Sequence, residues 1–204
     1  MFQMDLQSNV DFFKGEYSSS LNSEDLYDLD LPLMNTRAKG GTLVMWKSSL
    51  DPYITIHSID SSAFLPIVLK LPDALPSIHV ALYLPTAGKE SEFMTELAKL
   101  KIVLEQLIQK YKNAVIFIRG DANASKKNPR RFNLLSNFCS EYDLSRVSID
   151  HLTYHHFMGS GSSDSDLDVL LFSNQKNTSE LLLHLRCQKE DPLIDSHHDA
   201  LVSS

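Results

Sequence analysis

The chain is poor in the residues that would place it in several large classes. It has two cysteines, Cys139 and Cys187, far apart and without zinc-ligand spacing. That excludes a disulfide scaffold or zinc module and predicts free thiols in a reducing compartment. No apolar run approaches the roughly eighteen residues of a membrane-spanning helix, so no membrane partner is expected. The opening MFQMDLQSNVDFF lacks a basic leader and a long apolar stretch. It does not read as a secretion signal, and an intracellular location is expected, with nucleus and cytoplasm undistinguished. Basic charge is also scarce, with 19 Lys and Arg against 26 Asp and Glu and a net charge of −7. Coating nucleic acid by bulk attraction is thereby excluded, but a local site touching a few phosphates is not.

What is present is ordinary for a globular protein: 43% hydrophobic and 22% charged residues over 204 positions, enough for a sizeable core. Residues 1–39 are weakly patterned, mixing Ser, Asp and Glu with isolated Leu and Tyr, and read as loop. Organisation begins at Gly40, so residues 40–204 are taken as the domain. Short apolar runs at Thr42 to Lys47, Tyr53 to His57, Phe64 to Leu71 and Ile78 to Pro85 predict strands joined by turns. From Lys89 the period changes. Phe93, Leu97, Leu100, Val103, Leu104, Leu107 and Ile108 recur at three and four, which predicts an amphipathic helix ending near Lys112 and Asn113. AVIFI follows as a buried strand, RRFNLLSNFCSEY as a second helix and LDVLLFS as a further strand. SELLLHLRCQ and HDALVSS are read as the last strands, while GSGSSDSD is low in complexity. The fold class is α/β (α+β), two packed sheets with helices outside.

Four places carry chemistry. In VIFIRGDANAS, Gly120 permits a tight exit from an apolar strand, and Asp121 and Asn123 are expected on one side of its end. A carboxylate there can take a proton from water or hold a metal, and an amide can orient a phosphoryl oxygen. An Asp/Asn turn with local capping bonds is the competing reading. In SDLDVLLFS, Asp168 interrupts an apolar run; it either has a buried partner or faces solvent at a strand edge. In DSHHDAL, His197 and His198 point opposite ways if extended, so at most one joins a given site. Tyr83 places a phenol at another strand end, where packing is the commoner use.

The order of these motifs resembles the endonuclease/exonuclease/phosphatase superfamily, and within it the endonuclease domains of LINE-type non-LTR retrotransposons. ALYLPTAG resembles the Tyr-bearing strand, IRGDANAS the Gly-Asp-Phe-Asn motif, SDLDVLLFS the Ser-Arg-Ile-Asp motif and DSHHDALV the Ser-Asp-His motif. The resemblance implies a four-layer sandwich, two mixed sheets flanked by helices, and hydrolysis of phosphodiesters or phosphomonoesters with Mg2+ or Mn2+. Carried over, Asp121 orients or deprotonates the attacking water and is the candidate metal ligand. Asn123 holds the phosphate and Tyr83 bonds a phosphoryl oxygen. His198 stabilises charge, with His197 as the alternative, and Asp168 fixes its tautomer. Thr153 and Ser165 are carried over as binding residues. DNA is the implied partner.

The chain also departs from the family. The first strands, with their catalytic Asn and metal-binding Glu, are not visible before Gly40, where only Glu16 and Glu24 stand without a preceding apolar strand. His197 replaces an Asp, and Asp166 replaces an Arg. The expectation is an incomplete sheet with an edge or core face exposed beside Thr42 to Lys47, self-association there, and weak magnesium-dependent hydrolysis of DNA. The alternative is a non-catalytic remnant that acts as a binding module, and a phosphatase or sphingomyelinase is a third reading.

Overall fold

The computed structural model describes residues 13–18, 42–147, 154–158, 161–165, 167–174, 185–188 and 200–203. At its centre lies a six-stranded mixed sheet in the order β3-β4-β5-β6-β10-β7. These strands are β3 (Ile54–Ile56), β4 (Phe64–Leu69), β5 (Ser77–Tyr83), β6 (Val115–Asp121), β7 (Leu144–Arg146) and β10 (Asp168–Ser173). Neighbours joined by short turns run antiparallel, as β3-β4 and β4-β5 do. β5 and β6 are parallel because the 21-residue helix α1 (Glu90–Lys110) returns the chain between them.

α1 forms where the period of three and four was read. Its stripe of Phe93, Leu97, Leu100, Leu104 and Leu107 is buried, Glu90 and Glu92 sit in the first turn, and Lys110 sits in the last. Each buried apolar side chain contributes roughly 1.5–3 kcal/mol. Asn113, at φ 61, then turns the chain toward β6. The second helix, α2 (Pro129–Glu141), starts with Pro129 just inside and with the Asn128 side chain accepting the Arg131 amide hydrogen. Leu135 and Phe138 of α2 join the α1 stripe against Val68, Ile78, Val80, Leu82, Ile116, Ile118, Val169 and Leu171. Both helices therefore cover the same face of the sheet.

The other face looks toward β1 (Phe13–Ser18) and β2 (Thr42–Lys47), an antiparallel pair in register from Phe13↔Lys47 to Ser18↔Thr42. β1 overturns the expectation of loop across residues 13–18, and Glu16 lies within that strand opposite Val44. FKGEYS does alternate, but Gly15 and the serines that follow mask the period. On β2, Thr42 and Trp46 are buried toward the large sheet, whereas Leu43 and Met45 are exposed at 58% and 64%. β1 covers one edge of the strand beside which an open edge was expected.

Between β2 and the large sheet lies a cleft of about 680 Å³. The run read from Tyr53 to His57 is shorter as a strand, because Ser48–Tyr53 with Pro52 winds into a 3-10 turn. The low-complexity stretch contributes β9 (Gly161–Ser165), antiparallel to β8 (Tyr154–Met158). β11 (Leu185–Gln188) pairs with β12 (Ala200–Ser203) within the two terminal runs read as strands.

Candidate active site

Asp121 is the last residue of β6, and the sheet register brings two other candidates beside it. Tyr83 is its partner on β5, and Asp168 is its partner on β10. Partners across a ladder share a face. A phenol and two carboxylates therefore stand in one row across three adjacent strands, at the carboxyl end of the parallel pair. That is where open α/β sheets bind their ligands. Asp121 is buried at 8% exposure, and Tyr83 and Asp168 line the cleft.

Gly120 explains how Asp121 reaches this position. Its φ is +133, and a Cβ there would stand 2.0 Å from the Leu82 carbonyl oxygen. Only glycine lets β6 approach β5 so closely at its exit. Beyond it the ladder continues through Leu84 N–H to the Asp121 carbonyl at 2.9 Å and Ala122 N–H to the Leu167 carbonyl at 2.9 Å.

Asn123 departs from the expected alternation. β6 ends at Asp121, and Asn123 adopts a left-handed φ of 47, so the period of two no longer sets its direction. Its backbone N–H donates to Asp121 Oδ1 at 2.8 Å, and its Nδ2 donates to the Leu84 carbonyl at 2.7 Å. The local Asx turn is thus present, and it holds the carboxylate and ties the exits of β5 and β6 together.

The sequence reading missed Arg131, the side chain that organises both exits. It is fully buried, and it donates from Nε to both Glu90 carboxylate oxygens at 3.1 and 2.9 Å. Nη1 donates to the Pro85 carbonyl at 2.6 Å and the Asn123 carbonyl at 3.3 Å, and Nη2 donates to the Thr86 carbonyl at 2.8 Å. Its guanidinium also stacks over Phe93, 4.5 Å from the ring centroid. The bond from Arg131 holds the Glu90 carboxyl below its ordinary value. The only sequence signal was a second Arg in the first turn of a helix, which ordinarily reads as solvated charge.

The remaining candidates are placed only in part. Ser165 is the last residue of β9, with Tyr154 as its backbone partner. Thr153, His197, His198, Glu24 and Asp166 lie outside the described residues. Among the described residues no group of three or more His, Cys, Asp or Glu side chains is placed to hold a metal ion. Asp121 and Asp168 are hard oxygen donors side by side, which fits magnesium's habit of binding one or two carboxylates and completing its shell with water and phosphate.

No protein-family model and no curated protein sequence matches the chain. Solved structures do. The endonuclease domain of TRAS1, a telomere-specific non-LTR retrotransposon, aligns over 94% of this chain and 79% of its own, with TM-score 0.65 and 15% identity. D. rerio TDP2, complexed with a single strand DNA product, aligns over 80% and 71%, with TM-score 0.54 and 12% identity. A mannosyl-6-phosphatase of Bacteroides thetaiotaomicron aligns over 93% and 77%, with TM-score 0.51 and 13% identity. At these identities the likeness is one of fold.

Proposed function

We propose, from the endonuclease/exonuclease/phosphatase fold, that this chain hydrolyses phosphoesters and that its substrate is the phosphodiester backbone of DNA. The observation that carries this reading is the Tyr83–Asp121–Asp168 row at the carboxyl end of β5 and β6. Two of the similar structures, a retrotransposon endonuclease and a protein holding a single strand DNA product, favour DNA over a sugar phosphate.

In this mechanism Asp121 accepts a hydrogen bond from the attacking water and takes its proton as the new bond to phosphorus forms. The bond from phosphorus to one sugar oxygen breaks, and the leaving oxygen takes a proton from solvent water. The Tyr83 hydroxyl donates to a non-bridging phosphoryl oxygen, and the second N–H of the Asn123 amide does the same. By the resemblance, His198, which lies outside the described residues, would act as a donor to the phosphoryl group, with Asp168 fixing which ring nitrogen carries the proton. Asp121 and Asp168 are adjacent like charges, which repel unless a cation lies nearby. Bound magnesium or manganese would supply positive charge to the phosphoryl oxygens.

The test is nicking of supercoiled plasmid with magnesium or manganese. Slow nicking is expected, reduced about 100-fold or more by Asp121→Asn, within the range of a lost general base. Nicking that Asp121→Asn leaves unchanged would overturn the reading. DNA binding without nicking by the unaltered chain would favour the second reading, a binding module. That alternative is motivated by Asp166, an acidic residue where the resemblance calls for a cation.

A further inference from the structure

Arg119 stands two residues before Asp121 on β6, in the next row of the same face, flanked in register by Ala81 and Leu170. It lines the 680 Å³ cleft together with His79, Tyr83 and Asp168, and the residue keeps exposed surface while its guanidinium is partly covered. Its Nη2 donates to His79 Nδ1 at 3.3 Å. An arginine can only donate, so Nδ1 is the acceptor and Nε2 carries the imidazole proton. Nε2 therefore donates to Ser77 Oγ at 2.8 Å. The ring also stacks on Phe117, with centroids 5.1 Å apart and planes 16° from parallel. His79 is locked as a neutral imidazole beneath the guanidinium.

The partner that Arg119 lacks among the described residues is a carboxylate. Among the described residues Arg119 makes no ion pair, whereas Arg131, in the helix layer, is paired with Glu90. Burial draws the Arg119 guanidinium below its ordinary value without discharging it. A partly desolvated cation carries a cost that an anion offsets. A carboxylate in the place of His79 would hold the fork equally well, but it would cancel the charge. A neutral acceptor holds it and leaves the charge available.

We propose that Arg119, oriented by His79, is an oxyanion subsite of this cleft that takes a phosphate group. The proposal rests on reading the neighbouring row as a phosphoester site, and it adds a cationic donor to the non-bridging oxygens beside Tyr83 and Asn123. The guanidinium fork matches phosphate in a bidentate manner, and the apolar walls at Trp46, Ala81 and Leu170 strengthen the attraction. Asp121 and Asp168 in the row above bound the site with negative charge, so the anion is held from the Arg119 side.

The experiment follows binding rather than turnover, in chelator at low ionic strength, with two probes. These are inorganic phosphate and a short single-stranded DNA oligonucleotide. Calorimetry gives affinity, and the Arg119 Nε–H resonance, identified by its absence in Arg119→Lys, reports contact in the unaltered protein. Addition of a probe is expected to shift that resonance. Arg119→Met is expected to weaken binding at least about tenfold, the scale of a lost charge-assisted pair, with Arg119→Lys in between. Asp121→Asn should bind as tightly as the parent or more so. A shift with phosphate alone identifies a free-phosphate subsite, and a shift with the oligonucleotide alone identifies an ester phosphate. An unmoved resonance with both probes, or equal binding by a folded Arg119→Met, overturns the proposal. Because no nicking is measured, a failure of the Asp121 reading would leave this result standing, and the reverse also holds.

Discussion

His79 is held neutral from both sides of its ring, by a donor at Nδ1 and an acceptor at Nε2. Burial, and then the Arg119 charge, lower its pKa to about 4 from the ordinary 6.5. Because the folded value is depressed, the unfolded chain binds the proton more readily throughout the window between them. Stability is thus fully present above pH 6.5 and is lost as pH falls toward 4, by at most about 3 kcal/mol. Thermal melts at pH 7 and 4.5 test this, and the Tm drop should be smaller in His79→Phe than in the parent. An equal drop in both would show that the carboxylates, which titrate over the same range, account for all of it. Neither His79 nor Arg119 was singled out in the sequence, since IHVALYLP and VIFIRG read there only as strand positions. Tyr83 and Asp121 stood out because each ends an apolar run, and Asp168 because it interrupts one, and the register sets the three in one row. The placement of Asn123 was not, because a left-handed residue leaves the period of two on which the reading relied.

Among the elements, α2 does more than cover the sheet. Its Arg131 reaches across to the loop after β5 and the turn after β6, so the helix fixes the two exits that carry Tyr83 and Asn123. Arg131→Met removes donors from the Pro85 and Thr86 carbonyls and leaves them to find water. From those carbonyls alone the cost is roughly 2–4 kcal/mol. Denaturant melts should show this loss, and plasmid nicking should fall as well, with Arg131→Lys recovering stability in part but not the geometry of the fork. Unchanged stability in Arg131→Met would mean that the carbonyls are already solvated. α1 and the strands β3, β4, β5, β6 and β10 were legible because burial on one or both faces writes a clear period, whereas β7, three residues long, was not read. β1 was not, since two of its six residues are Gly15 and Ser18 and its partner β2 lies more than twenty residues on. Arg131 was illegible for a different reason. Its burial is created by two loops and a helix that are distant in the chain, and nothing in PRRFN announces them.

At the scale of the whole molecule, a net charge of −7 must coexist with the polyanionic substrate proposed above. The resolution offered by the structure is local. The loop that leaves Asp121 runs through Lys126 and Lys127 to Arg130 at the start of α2, and all three side chains are exposed. At physiological salt a charge is felt over about 8 Å, so in the proposed reading only cations close to the Asp121 row attract the phosphate, and this loop is the candidate source to test beside Arg119. Three or four phosphate contacts imply a slope of log K against log salt near −3, far shallower than that of an extended basic surface. Fluorescence anisotropy of a labelled DNA strand between about 50 and 200 mM salt, in chelator, measures that slope. Replacing Lys126, Lys127 and Arg130 together by Gln should flatten it by about 2 to 3 and weaken binding without regard to DNA sequence. A parental slope steeper than about −6 would place the phosphates along a longer surface. An unchanged slope in the triple variant would remove this loop from the interface and leave Arg119 as the cation beside the Asp121 row.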